Sequence, residues 1–208
     1  MRWADLVRPL DEITHGLRYV DLMTDLDVTL KTDRSIEREV NSNDGEKVFM
    51  VRILPYAVPS TTNRGAVLSF VDVTPYHDAK RLQAILDGLP EHVAVLDAQG
   101  VIRMVNAAWK RFAMANGDPE MKHSGVGSNY MDACGVDLPE DGTTASSAVR
   151  GLRSVLEGTA PSFSLEYPCH SPSEKRWFVM NVAPIAGPLF GAVVSHINVT
   201  AWFEKHAP

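Results

Sequence analysis

Two cysteines and a neighbouring histidine are the side chains of this sequence best suited to covalent or redox chemistry. Cys169 is followed directly by His170, and Cys134 is the second cysteine of the chain. A thiolate next to an imidazole can act as a nucleophile or as a redox sensor. Adjacent residues of a strand point to opposite faces, however, and free cysteines usually pack as small hydrophobic side chains. A cysteine-based redox sensor or enzyme is therefore the alternative interpretation.

Common catalytic signatures are absent from the sequence. It has no phosphate-binding loop of the form G-x-x-x-x-G-K-[ST], no G-x-S-x-G nucleophile motif and no H-E-x-x-H zinc motif. Two cysteines far apart are too few for a disulfide framework or a metal knuckle. We therefore expect no catalytic residues, no metal site and a protein that is not an enzyme.

The elements that position the remaining side chains come in two similar sets. Residues 65–74 return as residues 191–200, and the two segments are identical at six of ten positions. Each copy follows an apolar run that ends in proline, at residues 47–55 and 176–184. A repeat of this length indicates two copies of one small fold.

The first copy is predicted to hold one helix and three antiparallel strands. Apolar residues recur at helical spacing over residues 19–31, with Val20, Met23, Leu26 and Leu30 on one face. The turn signal Asn43-Asp44-Gly45 predicts a hairpin. The expected strands cover residues 36–40, 47–55 and 66–73.

A linker helix and the second copy follow. The linker helix over residues 76–89 has an apolar stripe of Leu82, Ile85, Leu86 and Leu89. The second copy is predicted to contain strands at residues 92–97 and 101–106, helices at 107–115 and 146–156, and strands at 163–169, 176–184 and 191–199. Strands, then helices, then strands are typical of an α+β fold with an antiparallel sheet.

Several motifs resemble the PAS domains of bacterial signal-transduction proteins. Residues 97–106 are similar to the D-x-x-G-x-I-x-x-x-N hairpin that opens these domains, and residues 72–74 and 198–200 resemble the D-[IV]-T triplet that ends them. The first copy is similar to the PAS domains of chemotaxis methylesterase/methyltransferase fusions and hybrid sensor kinases. That likeness lies in residues 8–10, 37–40, 43–45 and 52–56, and the opening hairpin of this copy is missing.

The resemblance implies a domain organisation and a pocket. We expect an incomplete N-terminal PAS-like domain at residues 1–75, a linker or signalling helix at 76–90 and a complete PAS domain at 91–204. Each complete domain would have a five-stranded antiparallel sheet with helices on one face and a ligand between them. His196 replaces the glutamine that faces the ring in flavin-binding members, and strand alternation also directs it inward. The other candidate pocket residues are Trp109, Phe112, Asn129 and Tyr130.

The role expected for His196 is a hydrogen-bonding or pH-sensitive contact for a ligand. The alternative is a core histidine satisfied by a neighbouring backbone group. Signal coupling is assigned to the two closing triplets, through Asp72, Thr74, Asn198 and Thr200. We expect the acid of Asp72 and the hydroxyl of Thr74 to cap a helix that begins near Tyr76.

Cofactor motifs narrow the choice in the second copy. Tyr130 stands where light-sensing flavin members carry their reactive cysteine, and residues 141–158 contain no histidine for haem. The missing cysteine disfavours light-driven flavin adduct chemistry, and the missing histidine disfavours haem. Noncovalent FAD or a small metabolite stays open. The first copy is expected to bind no cofactor.

Composition and charge indicate the cellular location and the partners of the protein. The chain of 208 residues carries a net charge of −6, which argues against a nucleic-acid surface, and it has no apolar run long enough for a membrane span and no signal peptide. We expect a cytoplasmic sensory module that passes its signal through helices to an absent output domain, such as a histidine kinase. A homodimer is expected through the linker helix and the open sheet edge of the first copy. A pure dimerisation scaffold without ligand is a further alternative.

Overall fold

The protein forms two units, residues 1–81 and 82–208. The computed structural model describes residues 10, 16–57, 64–133, 144–170, 174–185 and 191–206. Cys134 therefore lies outside the described residues.

In its described residues, the first unit contains a helix followed by a three-stranded antiparallel sheet. Its elements are α1 (Leu22–Thr32), β1 (Ile36–Asn41), β2 (Val48–Ala57) and β3 (Arg64–Asp72), and the strand order is β1-β2-β3. The predicted hairpin between β1 and β2 is present. Gly45 occupies its turn with a φ of 77°, a left-handed conformation that glycine adopts at little cost.

The buried face of α1 differs from the predicted one. Val20 lies before the helix and is 95% exposed, and Met23 is 45% exposed. Of the predicted face, Leu26 packs against the core and Leu30 is half-buried. The residues that α1 buries fully are Leu22, Asp25 and Thr29. Hydrophobic periodicity could not indicate this face because two of its three members are polar.

Asp25 is buried because two side chains satisfy its carboxylate. Arg38 of β1 donates from Nε to Oδ2 at 2.8 Å and from its second guanidinium nitrogen to Oδ1 at 3.0 Å. The hydroxyl of Tyr19 donates to Oδ2 at 2.7 Å. These bonds lower the pKa of Asp25, with the bond from Arg38 as the largest cause. Burial and the bond to Asp25 raise the pKa of Tyr19 to about 12.

Strand β3 is an open edge of the first sheet. Among the described residues it pairs with β2 and with no other strand. Val67, Phe70 and Val71 are each about half exposed on it. Within the described residues, the outer edge of β3 therefore has the open backbone that is expected of a copy without its opening hairpin.

Helix α2 covers Thr74–Asp87 and so begins two residues before the predicted start. Asp72 Oδ1 accepts the N–H of Thr74 at 3.0 Å, as expected for a residue at a helix start. The hydroxyl of Thr74 does not cap the helix, which corrects the prediction. It accepts the backbone N–H of Val48 in β2 at 2.9 Å and thereby ties the start of the helix to the sheet.

The second unit is an α+β fold with a five-stranded antiparallel sheet. Its strand order is β5-β4-β8-β7-β6, so that the first and last strands lie side by side. The elements in chain order are β4 (His92–Asp97), β5 (Ile102–Val105), α3 (Ala107–Ala115), α4 (Tyr130–Ala133), α5 (Thr144–Leu156), β6 (Phe163–Pro168), β7 (Trp177–Ile185), β8 (Gly191–Asn198) and α6 (Thr200–His206). The predicted fold class is confirmed for this unit.

The core of the second unit lies between this sheet and α5. Leu152 and Val155 of α5 are buried against one face of the strands. The buried strand residues of the same core are Ala94, Leu96, Ile102, Val105, Met180, Val182, Ala192 and Val194. Strand alternation places His196 on the face that Ala192 and Val194 occupy.

Candidate functional site

His196 lies at the centre of a partly buried hydrogen-bonded group in the second unit. Its Nε2 is 2.9 Å from the hydroxyl of Tyr130, the first residue of α4. Its Nδ1 is 2.6 Å from the hydroxyl of Tyr167 on β6. We call Tyr130, His196 and Tyr167 the tyrosine–histidine trio. Both ring nitrogens of His196 are thus engaged by side chains and not by backbone.

The imidazole of His196 is neutral at physiological pH. Burial, with a smaller contribution from His92, lowers the pKa of His196 to about 4. A neutral imidazole has one donor and one acceptor nitrogen. One tyrosine hydroxyl therefore donates to the bare nitrogen, and the other accepts from the N–H. A pKa this low disfavours the pH-sensitive role and favours hydrogen bonding.

The first of two cavities beside the trio has a volume of about 260 Å³ and mainly aromatic walls. Its lining residues are His92, Trp109, Phe112, Ala113, Asn116, Asp118, Ser124, Tyr130, Tyr167 and His196. The ring centre of Trp109 is 5.7 Å from that of His196 and 6.1 Å from that of Tyr130. Trp109 also donates from Nε1 to the carbonyl of Ser124 at 2.9 Å, which fixes the plane of its indole.

The second cavity has a volume of about 290 Å³ and mainly aliphatic walls. It is lined by Tyr130, Thr144, Ala145, Ala148, Leu165, Tyr167, Pro168, Met180 and His196. The three members of the trio line both cavities and therefore stand between them.

Helix α3 carries three residues that line the first cavity, Trp109, Phe112 and Ala113, and the buried side chain of Asn106 holds the start of this helix. Asn106 Oδ1 accepts the N–H of Trp109 at 2.9 Å and the N–H of Val93 at 3.1 Å. Its amide donates to the carbonyls of Glu91 at 2.7 Å and Leu86 at 3.1 Å. This one side chain thus joins α3 to β4 and to the segment before it.

Four of the five residues proposed from the sequence line the first cavity: Trp109, Phe112, Tyr130 and His196. Asn129 lines neither cavity beside the trio. Its amide donates to the carbonyl of Gln99, and its oxygen accepts the N–H of Met131 at 2.9 Å. It therefore fixes the start of α4 and positions Tyr130 indirectly.

Tyr167 and His92 also line the first cavity, although neither was predicted as a pocket residue from the sequence. In the sequence of β6, Phe163, Leu165 and Tyr167 alternate with polar residues, and this pattern could have placed Tyr167 on the inward face, where all three are half-buried. His92 packs on Phe112 with ring centres 4.5 Å apart. Its position at the first residue of a strand gave no preferred face.

Asp118 is the charged residue that lines the first cavity, and its own loop satisfies its carboxylate. It accepts the N–H groups of Lys122, His123 and Ser124 and the hydroxyl of Ser124. Burial acts to raise the pKa of Asp118, but the four hydrogen bonds outweigh it and hold the pKa below its ordinary value. The carboxylate is therefore an anchor of the loop.

The closing triplet of the second unit repeats the geometry of the first. Asn198 Oδ1 accepts the N–H of Thr200 at 3.0 Å, and the hydroxyl of Thr200 accepts the N–H of Trp177 at 3.0 Å. Replacing the aspartate of the first copy by Asn198 therefore preserves this contact. The indole of Trp177 also stacks on Phe203 of α6 with ring centres 5.5 Å apart.

Cys169 is a half-buried free thiol at the end of β6. The Nδ1 of the adjacent His170 accepts the N–H of Arg176 at 3.0 Å, and its ring packs against Trp177. This imidazole is thus held by its own loop. Within the described parts of the chain, no cluster of three or more histidine, cysteine or acidic residues could hold a metal ion. No helix in those parts has the length and apolar character to span a membrane.

Comparison with known proteins identifies both units. A family profile described as "PAS domain" matches residues 1–74, and one described as "PAS fold" matches residues 86–201. A 104.1 kDa protein from the hypE 3′ region of Rhodobacter capsulatus is 49% identical over 206 residues. That alignment covers 99% of this chain and 22% of the relative, so the chain spans less than a quarter of the curated protein it matches.

Solved PAS domains resemble part of the chain. The PAS domain of a Colwellia psychrerythraea protein is 17% identical with a TM-score of 0.41, covering 60% of this chain and 98% of that one. The PAS domain of Bordetella pertussis BvgS is 16% identical with a TM-score of 0.41, covering 62% of this chain and 93% of that one. Because one family profile covers more than half of the sequence and a second covers most of the remainder, this chain belongs to the PAS family and contains two such domains in tandem.

Proposed function

We propose that the chain is the sensory module of a bacterial signal-transduction protein and that its C-terminal domain binds a small ligand in the cavities beside His196. The observation that carries the proposal is the pair of cavities on either side of the trio. PAS domains of sensor proteins support the regulatory role in general. The output domain, proposed to be a histidine kinase or another regulator, would lie elsewhere in a cytoplasmic parent protein.

The proposed signal route runs along β8. His196 lies on this strand, and Asn198 follows two residues later on the same face. Asn198 holds the N–H of Thr200, the first residue of α6. A ligand that moves His196 would therefore shift the end of the strand and the helix attached to it. The matching contacts of Asp72 and Thr74 give α2 the same connection to the first sheet.

A small metabolite fits the second domain better than FAD. Among the described residues, no arginine or lysine lines either cavity, whereas a diphosphate would require cations or free N–H groups. Each cavity, at about 260 and 290 Å³, also lies at the small end of the size range of ligand pockets. The residues present thus do not fit FAD. For the first domain, which has three strands, we propose no cofactor.

Filling the first cavity is expected to block ligand binding and signalling. Ala113 lines this cavity and is 8% exposed, so Ala113→Phe would place a ring in it. A thermal-shift screen would first identify the metabolites that stabilise the unchanged protein. We expect Ala113→Phe to weaken the apparent affinity for these metabolites at least tenfold. Ligand-induced changes in hydrogen exchange at α6 should disappear with it.

Ala115→Phe is the matched control because Ala115 is exposed at the end of the same helix and lines neither cavity. It should preserve binding and the response of α6. If no metabolite binds, or if Ala113→Phe leaves the binding and exchange unchanged, the ligand-sensing role is wrong and a dimerisation scaffold becomes the better interpretation. Alkylation rates of Cys169 measured against pH would test the redox alternative.

We also propose that the chain forms a homodimer through α2. Leu82 is 51% exposed and Ile85 is 59% exposed, which is a large apolar area for a helix surface. A helix of this length is marginal in isolation and needs a packing partner. Changing Leu82 and Ile85 together to Glu is expected to weaken dimerisation at least tenfold in analytical ultracentrifugation.

Arg81→Glu provides the control, since it changes the net charge of the same helix by the same amount at an exposed position. It should leave the dimer intact. An unaltered dimer in the double variant would show that the apolar stripe is not the interface. The open edge of β3 is a second proposed contact, for a strand of another subunit or of the parent protein, because its unpaired backbone groups can extend the sheet.

A further inference from the structure

The trio divides a space that is large enough for a ligand. Each cavity is smaller than a typical ligand pocket, and the side chains of Tyr130, Tyr167 and His196 stand between the two. The side chain of each member of the trio forms a hydrogen bond to the side chain of another member. Exchanging those bonds for bonds to a ligand would join the cavities into one pocket.

The walls of the joined pocket favour a flat, rigid ligand. On one side of the trio lie the rings of His92, Trp109 and Phe112. On the other side lie the aliphatic or thioether side chains of Leu165 and Met180. Aromatic rings pack well against such walls in stacked or edge-to-face arrangements, with ring centres about 4.5–7 Å apart.

The charge state of the pocket excludes ionised ligands. His196 is neutral, and burial together with the cations of Arg111 and Arg176 lowers the pKa of His92 below its ordinary value. Asp118 is saturated by its own loop. The cation beside the first cavity, Arg176, packs on Phe112 and already donates to Oδ1 of Asn116 and to the carbonyl of Cys169. A buried carboxylate would have to break those bonds to gain a counterion, and a buried ammonium group would meet only the saturated carboxylate of Asp118, so either group would lose its hydration at a large cost.

We propose that the sensed ligand is an uncharged, planar aromatic compound with a hydrogen-bonding edge, and that it joins the two cavities by exchanging hydrogen bonds with the tyrosine–histidine trio. This inference rests on the proposed function, since it names the ligand class of the same site. The trio offers the ligand both donors and acceptors, because each tyrosine hydroxyl can donate and accept. A lactam or a similar donor–acceptor pair on a fused ring matches this set.

Three compounds with the same two fused six-membered rings test the proposal on the full chain by calorimetry at pH 7.5. 2-Quinolinone carries an uncharged lactam, naphthalene has no hydrogen-bonding group, and quinoline-2-carboxylate is an anion. We expect affinity to fall in that order, with the anion at least tenfold weaker than 2-quinolinone. Tyr167→Phe should weaken 2-quinolinone about tenfold, as loss of one good hydrogen bond predicts, and change naphthalene less than twofold.

Tyr56→Phe is the matched control, because Tyr56 is 50% exposed in the first domain. It should change none of the affinities. The inference is overturned if the anion binds as tightly as the lactam, if Tyr167→Phe weakens both uncharged compounds equally, or if 2-quinolinone does not bind at 1 mM, roughly the weak limit of specific recognition. The proposed sensory function is tested separately. If metabolites bind and Ala113→Phe blocks their binding, the sensory function remains valid in each of these cases, with a different class of ligand.

Discussion

Replacing Asn106 by alanine is expected to lower the free energy of unfolding of the C-terminal domain by about 2–4 kcal/mol. Asn106 is fully buried, and its side chain accepts two backbone N–H groups and donates to three carbonyls. Loss of a helix cap alone typically costs about 1 kcal/mol. The N–H of Val93 would lose its side-chain partner inside the protein, which adds about 1–3 kcal/mol.

Urea unfolding followed by tryptophan fluorescence measures this effect, since three of the four tryptophans, Trp109, Trp177 and Trp202, lie in the C-terminal domain. Asn106→Ser keeps a cap acceptor and should fall between alanine and the unchanged protein. Asn116→Ala, at the exposed end of the same helix, should cost less than about 1 kcal/mol because its lost bonds are replaced by water. Equal costs for Asn106→Ala and Asn116→Ala would show that the buried network contributes nothing beyond an ordinary surface contact.

The sheet architecture was predictable because strands are marked in the sequence by alternating apolar and polar residues and by the turn residues between them. The repeat ending in Thr74 and Thr200 gave the order of the strands, and the predicted strand ends agree with the structure within about two residues, the usual uncertainty of such boundaries. Helix α3 was predicted at the residues it occupies. These signals are local in the sequence, so a single sequence is enough to detect them.

Side-chain networks were less predictable because their members lie far apart in the sequence. The D-x-x-G-x-I-x-x-x-N pattern marks Asn106 but does not show which amides and carbonyls it binds. Tyr167 and His196 meet across a sheet, and their pairing depends on strand order. Asn129 was assigned to the pocket from its motif, whereas its hydrogen bonds place it at a helix start. Polar residues on a helix are also assumed to be exposed, and Asp25 violates that assumption.

Replacing Asp25 by asparagine is expected to destabilise the N-terminal domain by about 2–3 kcal/mol at pH 7, because breaking a buried pair leaves groups poorly satisfied. The value lies below the range for fully buried pairs because Arg38 is half exposed, and solvent screens its charge. Hydrogen exchange of amides in α1 and β1 measures the stability of this domain separately. Asp27→Asn is the control, since Asp27 forms an exposed pair with Lys31 on the same helix and should cost only about 0.2–0.5 kcal/mol.

The same network predicts how the stability of the N-terminal domain varies with pH. The pKa of Asp25 is lowered in the folded state, so its contribution is complete above the unfolded value of about 3.9 and is lost as the pH falls through the folded pKa. The pKa of Tyr19 is raised to about 12, so its contribution is complete below the unfolded value of about 10 and is lost as the pH rises through 12. Asp25→Asn should therefore reduce the acid dependence of amide exchange in α1, and Tyr19→Phe should reduce the alkaline dependence. If both variants keep the acid and alkaline dependences of the unchanged protein, the buried network does not link proton binding to folding, and the predicted cost of Asp25→Asn has another origin.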